Sequence, residues 1–153
     1  MEMEYSRCRQ KAPGYRLAVL HRLSAAFLTP HMQALGLRRG GVGVLLETIE
    51  HPGQTQDALS RSLRVDPAAT ARALFELENQ GYVERREDPA DRRQKRVFPT
   101  AKTTAMADRF FAVLATHNQA LFQGFDAARR EEALALLDAM IANLETALRQ
   151  NAL

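Results

Sequence analysis

The hydrophobic period changes at Gly81, and that change limits the folds open to the chain. Upstream, Asp66 is a good N-cap and Pro67 suits a first helical position. Leu74 and Leu77 then recur at helical spacing until Gln80-Gly81 supplies a stop. Downstream, Tyr82–Arg86 and Arg93–Phe98 are short strand candidates around the polar loop Glu87-Asp88-Pro89-Ala90-Asp91-Arg92. A hairpin of that size cannot stand alone and must lean on the helices before it. Just ahead of Asp66, Thr55 is a candidate N-cap for a short helix running to about Leu63, and Arg64-Val65 makes a tight connection. The order is short helix, tight turn, second helix, hairpin: a helix-turn-helix followed by a wing.

Longer helical blocks flank this segment. Residues 14–36 carry Leu17, Val19, Leu20, Leu23, Phe27 and Leu28 at helical spacing; Pro30 is expected to kink or divide that helix, and Gly36 to stop it. Residues 38–50 read as a second helix whose first turn is weakened at Gly40 and Gly41, by about 1 kcal/mol each relative to alanine. His51-Pro52-Gly53 ends it. Residues 101–123 form a further helix broken at Gly124, and Asp126 can cap a last helix with an apolar stripe of Leu134, Leu137, Ile141, Leu144 and Leu148. The chain has 153 residues, 46% of them hydrophobic, which fits a single compact domain, mainly α with a small β-hairpin. The terminal blocks, 1–36 and 101–153, carry more apolar surface than the 37–100 lobe can cover, so they are expected to form a dimer interface.

Net charge excludes little. The formal +3 comes from 21 basic and 18 acidic residues, and residues 35–100 hold eleven and ten of these. A nucleic-acid partner must therefore be argued from the placement of individual arginines. No stretch approaches the roughly 18 to 20 apolar residues that span a bilayer. Met1-Glu2-Met3-Glu4-Tyr5 does not have the pattern of a secretory signal, and the lone Cys8 cannot form an internal disulfide. The expectation is a cytoplasmic protein away from membranes.

In a helix-turn-helix the second helix lies in the major groove with its N-terminal residues toward the bases. Here these are Ala68, Ala69, Thr70, Ala71 and Arg72. Arg72 can reach a guanine or a phosphate, and the alanines offer apolar contact, for example to thymine methyls. The hairpin presents Arg92, Arg93, Lys95 and Arg96 together, and clustered arginines can enter a narrow minor groove. Asp91 can hold one of them in place. Against this, Glu84, Glu87, Asp88 and Asp91 interleave with the bases as in an ordinary solvated turn, and many helices beside a turn look alike.

The run Val65-Asp66-Pro67-Ala68-Ala69-Thr70-Ala71-Arg72-Ala73-Leu74-Phe75-Glu76-Leu77-Glu78-Asn79-Gln80-Gly81-Tyr82-Val83-Glu84-Arg85 resembles the recognition-helix segment of the MarR family of winged helix-turn-helix regulators. Asp88 to Thr100 resembles that family's wing, in which Asp91 and Arg93 match an Asp-x-Arg motif. Leu35-Gly36-Leu37-Arg38-Arg39-Gly40 and Glu50 to Gln56 are also similar. The resemblance implies a triangular homodimer on a pseudo-palindromic double-stranded operator, released by a small aromatic or phenolic effector or by an oxidant. It makes Arg93 the minor-groove arginine and Asp91 the residue that positions the wing. Alanines at 68, 69 and 71, where hydroxyls are frequent, reduce polar base readout; Pro99 and Thr103 also depart from the pattern.

The resulting expectation is a dimeric repressor. Arg38, Ser60, Arg61, Arg64, Arg85 and Lys95 would meet phosphates, and Arg72 and Arg93 would read the grooves. Two rivals stand: a winged module for a protein partner, suggested by the alanine-rich helix, and a thiol-based redox regulator using Cys8 between Arg7 and Arg9. His21, His31, His51 and His117 show no familiar metal-ligand spacing, although His21 and His31 can line a pocket. Nothing implies a cofactor, a catalytic nucleophile or a phosphate-binding glycine loop, and the effector site cannot be read from the residues.

Overall fold

The computed structural model describes residues 12–38 and 40–151; Cys8 lies outside them. The elements are α1 (Pro13–Ala34), α2 (Val42–Glu50), β1 (Gln54–Thr55), α3 (Gln56–Leu63), α4 (Pro67–Asn79), β2 (Val83–Glu87), β3 (Lys95–Pro99), α5 (Ala101–Leu121) and α6 (Ala127–Asn151). The chain falls into two compact units, one ending at His117 and the other starting at Asn118. No helix among the described residues is long and apolar enough to cross a membrane.

Local chemistry sets most of the boundaries in the first unit. Thr55 Oγ1 accepts the Ala58 amide at 3.2 Å and starts α3. Asp66 Oδ1 accepts the amides of Ala68 (2.9 Å) and Ala69 (3.1 Å), with Pro67 at the position that has no amide to satisfy. Between them Arg64 takes a left-handed conformation, φ 52°, which closes α3 within one residue. α1 runs through Pro30 undivided, because the missing amide costs one bond while the flanking turns remain packed. α2 starts four residues later than its sequence suggests: Gly41 is its N-cap and Gly40 lies outside it. The backbone entropy of paired glycines outweighs one more helical turn.

The sheet has three strands, in the order β1-β3-β2, all antiparallel. Gln54 and Thr55 pair with Val97 and Arg96. Sequence periodicity misses this strand because two residues show no alternation. β2 and β3 pair from Val83↔Pro99 to Glu87↔Lys95, so Pro99 sits at a strand end, where its missing amide is tolerated. Leu37, Leu45, Leu59, Leu74, Leu77, Val83, Val97 and Phe110 are almost wholly buried together, and Met32 joins them from α1. This core fixes the outward face of α4 and the base of the wing.

The second unit is simpler. Gly124, φ 82°, turns the chain, and Asp126 Oδ1 accepts the Arg129 amide at 2.8 Å to cap α6. α6 has no buried residue; Leu134, Leu136, Met140, Ile141, Leu144 and Leu148 are exposed.

Tyr82 ties the first unit together at Gly36. Its hydroxyl donates to the Leu35 carbonyl at 2.6 Å, and a Cβ added to Gly36 would lie 2.7 Å from that oxygen, at a backbone φ of 77°. Gly36→Ala is therefore expected to destabilise the chain by about 2–3 kcal/mol, from backbone strain and displacement of the tyrosine hydroxyl. Thermal unfolding of Gly36→Ala, Tyr82→Phe and the double variant checks this. The two costs should be strongly less than additive; simple additivity would refute the contact.

Candidate nucleic-acid interface

Residues 70, 73, 74 and 77 of α4 form its inner stripe. Thr70, Leu74 and Leu77 are at or below 1% exposure and Ala73 is nearly buried. At about 100° per residue the opposite stripe is Ala68, Arg72, Phe75 and Asn79, all exposed. This corrects one expectation: Thr70 does not face outward. Its hydroxyl sits 3.3 Å from the Asp66 carbonyl oxygen, within the helix's own first turn. Ser60 is likewise turned inward, beside Leu59, and donates to the Gln56 carbonyl at 3.0 Å. Neither hydroxyl can meet DNA in this arrangement. Ala68 is exposed and Ala69 half-buried. Arg38, Arg61 and Arg64 are exposed around this helix pair.

The wing tip is built by two aspartates. Asp91 Oδ1 accepts the Arg93 amide at 3.1 Å, its Oδ2 accepts Gln94 Nε2 at 3.2 Å, and its backbone carbonyl accepts the Gln94 amide at 2.9 Å. Arg93 Nε is 3.7 Å from Asp91 Oδ1, yet the Arg93 side chain is 95% exposed. The tip thus fixes the Arg93 backbone and leaves its guanidinium in water. Asp88, inert in the sequence reading, is the second builder. Its nearly buried carboxylate accepts the Ala90 amide at 3.0 Å and Arg96 Nε at 2.8 Å. Those partners, the amide first, hold its pKa below the ordinary carboxylate value against the opposing effect of burial. The Asp88-Pro89 pair is a turn-forming signal that could have flagged it.

Arg96 therefore belongs to the frame. Besides Asp88 it donates through Nη1 to the Gly53 carbonyl at 3.1 Å, tying the wing loop to the turn before β1. It was grouped with the groove-entering bases because its partners lie 8 and 43 residues away in the chain. Arg85 is also committed: Nε is buried, 3.2 Å from Glu78 Oε2 on α4, without hydrogen-bond alignment. A phosphate would have to break that pair. Arg86 pairs with Glu84 and lies 4.6 Å over the Phe98 ring. Arg92, Arg93 and Lys95 are exposed wing cations that tie no part of the frame together.

Other polar clusters are structural. Glu47 accepts Ser62 Oγ at 2.7 Å and Gln54 Nε2 at 2.9 Å, with His51 Nδ1 at 3.3 Å. The Ser62 hydroxyl above all, then Gln54, lowers its pKa. Glu50 lies within ligand distance of this pair, but the Glu47 carboxylate already joins α2, β1 and α3. His21 and His31 face different hollows. His21 lines one of about 200 Å³ with Ser24, Leu28, Thr29, Met32 and Val42. His31 lines one of about 160 Å³ with Phe27, Val113 and Thr116.

The MarR family profile matches residues 35–94. An HTH-type transcriptional regulator of Bacillus subtilis, YybA, is 30% identical over 111 residues, covering 72% of this chain and 74% of that protein. A MarR transcriptional regulator from Methanosarcina mazei Go1 superposes with a TM-score of 0.80 at 29% identity, over 87% of this chain and 96% of that one. The transcriptional repressor CouR, solved on a 23-mer DNA duplex, superposes at 0.78 with 23% identity, over 86% and 94%. The fold is the winged helix-turn-helix.

Asp88 and Glu47 both have folded-state pKa values below their unfolded ones. Their stabilisation is fully present above the ordinary carboxylate range, about pH 4 to 4.5, and is lost as pH falls through the lowered folded values. Amide exchange at Gly53, Ala90 and Gln94 is expected to accelerate below about pH 4 relative to the intrinsic rate, and this acid-induced step should be absent in Asp88→Asn. Wing protection unchanged from pH 6 to pH 3 would contradict the clamp.

Proposed function

The chain belongs to the MarR family of transcriptional regulators, and from that premise we propose that it is a homodimeric repressor of a pseudo-palindromic duplex site. Each protomer lays α4 in a major groove and Arg93 in the adjacent minor groove. The observation that carries this is the wing tip: an arginine whose backbone is pinned by Asp91 while its side chain is 95% exposed. An ordering cost paid within the fold leaves the guanidinium available to a narrow groove. Arg72 on the outer face of α4 supplies the polar base contact, with Ala68 and Ala69 beside it. Arg38, Arg61, Arg64, Arg92 and Lys95 supply phosphate contacts. The structural likeness to CouR on DNA supports this docking.

Dimerisation follows from the apolar side chains left in water. α6 shows six large ones, and α1 shows Leu17, Leu20 and Leu23. Surface of that extent needs a partner, and a second copy also doubles the half-site that one lobe can read. The hollow at His21, with its apolar floor of Leu28 and Met32, suits a small aromatic effector whose binding weakens DNA affinity. A cytoplasmic location follows from the duplex target.

Two measurements test the proposal. In fluorescence anisotropy, Arg93→Ala should bind a selected duplex about 5- to 100-fold more weakly, with the slope of log affinity against log salt shallower by about one unit. An unchanged affinity would remove the wing contact. Leu144→Glu with Leu148→Glu should convert the chain to a monomer in light scattering and abolish tight duplex binding. A dimer that retards no duplex at low salt would favour the protein-interaction module instead.

A further inference from the structure

The outer stripe of α4 contains a side chain that the reading above does not use. Phe75 is 60% exposed and stands between Arg72 and Asn79, opposite Thr70, Ala73, Leu74 and Leu77. A single exposed aromatic is unremarkable on a general surface; here its position and neighbours matter. With Ala71 and Arg72 it lines an open hollow of about 610 Å³, to which Arg38 also contributes. Among the described residues, Glu76 is the one carboxylate lining that hollow.

We propose that Phe75 is a specificity-determining residue that packs against the C5-methyl group of a thymine in the major groove. The inference rests on the DNA-binding reading above. Three observations converge on it. The hydroxyl that might have read bases, Thr70, is buried. Positions 68, 69 and 71 are alanine, so the first turns of α4 offer apolar surface and Arg72. The flanking guanidinium groups of Arg38 and Arg72 are exposed, the first suited to a phosphate and the second to a base edge, which selects a nucleic acid over an apolar partner face. A phenyl ring has no donor or acceptor for base edges, and the thymine methyl is the apolar group that the major groove displays. Glu76, one position on, can accept from a cytosine or adenine amino group and so favours particular neighbouring bases.

The test uses the full-length chain and a duplex selected by it from a randomised pool. Each thymine in turn is replaced by uracil, which pairs identically and lacks the methyl. For the wild type, replacement at the contacted position should weaken binding about fourfold, the worth of one buried methyl-sized group. Phe75→Ala should bind the thymine duplex more weakly and treat thymine and uracil alike at that position. Phe75→Leu should keep most of the discrimination. Thermal unfolding of both variants should match the wild type, since Phe75 is largely exposed and is not part of the core cluster. An identical thymine-to-uracil ratio in wild type and Phe75→Ala at every position overturns the methyl contact alone. So does a Phe75→Ala chain that binds both duplexes as the wild type does, leaving a protein partner as the reading of Phe75. Failure of the wild type to select any duplex overturns the DNA reading and this inference with it.

Discussion

Tyr82 is the residue on which the arrangement of the lobe depends. Its amide donates to the Leu77 carbonyl at 2.8 Å and closes α4. Its hydroxyl holds Leu35 at the end of α1. Its carbonyl accepts the Thr100 amide at 3.0 Å and the buried Thr103 hydroxyl, so β3 ends and α5 begins at the same atom. Lys102 Nζ lies 4.0 Å over the ring and donates to Gln80, the C-cap of α4. Each bond contributes about 1 kcal/mol net, and where the group is buried, as at Thr103, losing a partner costs about 1–3 kcal/mol. Few residues separate α4 from β2, so the angle between recognition helix and wing has little freedom left. Thr103, a departure from the family pattern in the sequence, is part of this joint.

That rigidity explains why net charge was uninformative. The wing region holds six cations, and half of them serve the frame. Arg85 meets Glu78, Arg86 meets Glu84, and Arg96 meets Asp88 and Gly53. Two of the interleaved acids that suggested an ordinary solvated turn, Glu84 and Asp88, are partners of these arginines. What does not serve the frame is a short set, Arg92, Arg93 and Lys95, on a tip ordered by Asp91 and Asp88. A few cations on a stiff mount lose less entropy on meeting a phosphate or a groove than many on a loose one.

The parts of the fold that were legible are those fixed by neighbours in sequence. Caps at Thr55, Asp66 and Asp126 and the stop at Gly81 are decided within three or four residues, and each stands where expected. The parts that were not legible depend on distant partners. β1 exists because Gln54 and Thr55 find Val97 and Arg96, and Arg96 is structural because it finds Asp88 and Gly53. Thr70 was placed outward by its nearness to the helix start; the core-facing period of Ala73, Leu74 and Leu77 places it inward. The candidate site was thus legible as a set of elements and as its wing motif, and less so as a list of side chains.

On the proposed reading, the hollow at His21 is linked to the joint between α4 and the wing by bonded neighbours. Met32 lines the hollow at His21 and is buried in the lobe's core. Its carbonyl accepts the amides of Leu35 and Leu37, at 3.1 and 2.9 Å, and the Leu35 carbonyl holds the Tyr82 hydroxyl. A molecule pressing on Met32 is therefore three residues from the joint that sets the helix-to-wing angle. Gly36, at its left-handed φ, has no side chain to absorb the movement and sits in contact range of the tyrosine oxygen. Displacement of α1's last turn is passed to Tyr82 or breaks its bond, because close-packed interiors shift between discrete arrangements rather than deform gradually. On the proposed dimeric reading, either response would move α4 and the wing, and two lobes so moved would no longer match the spacing of two half-sites.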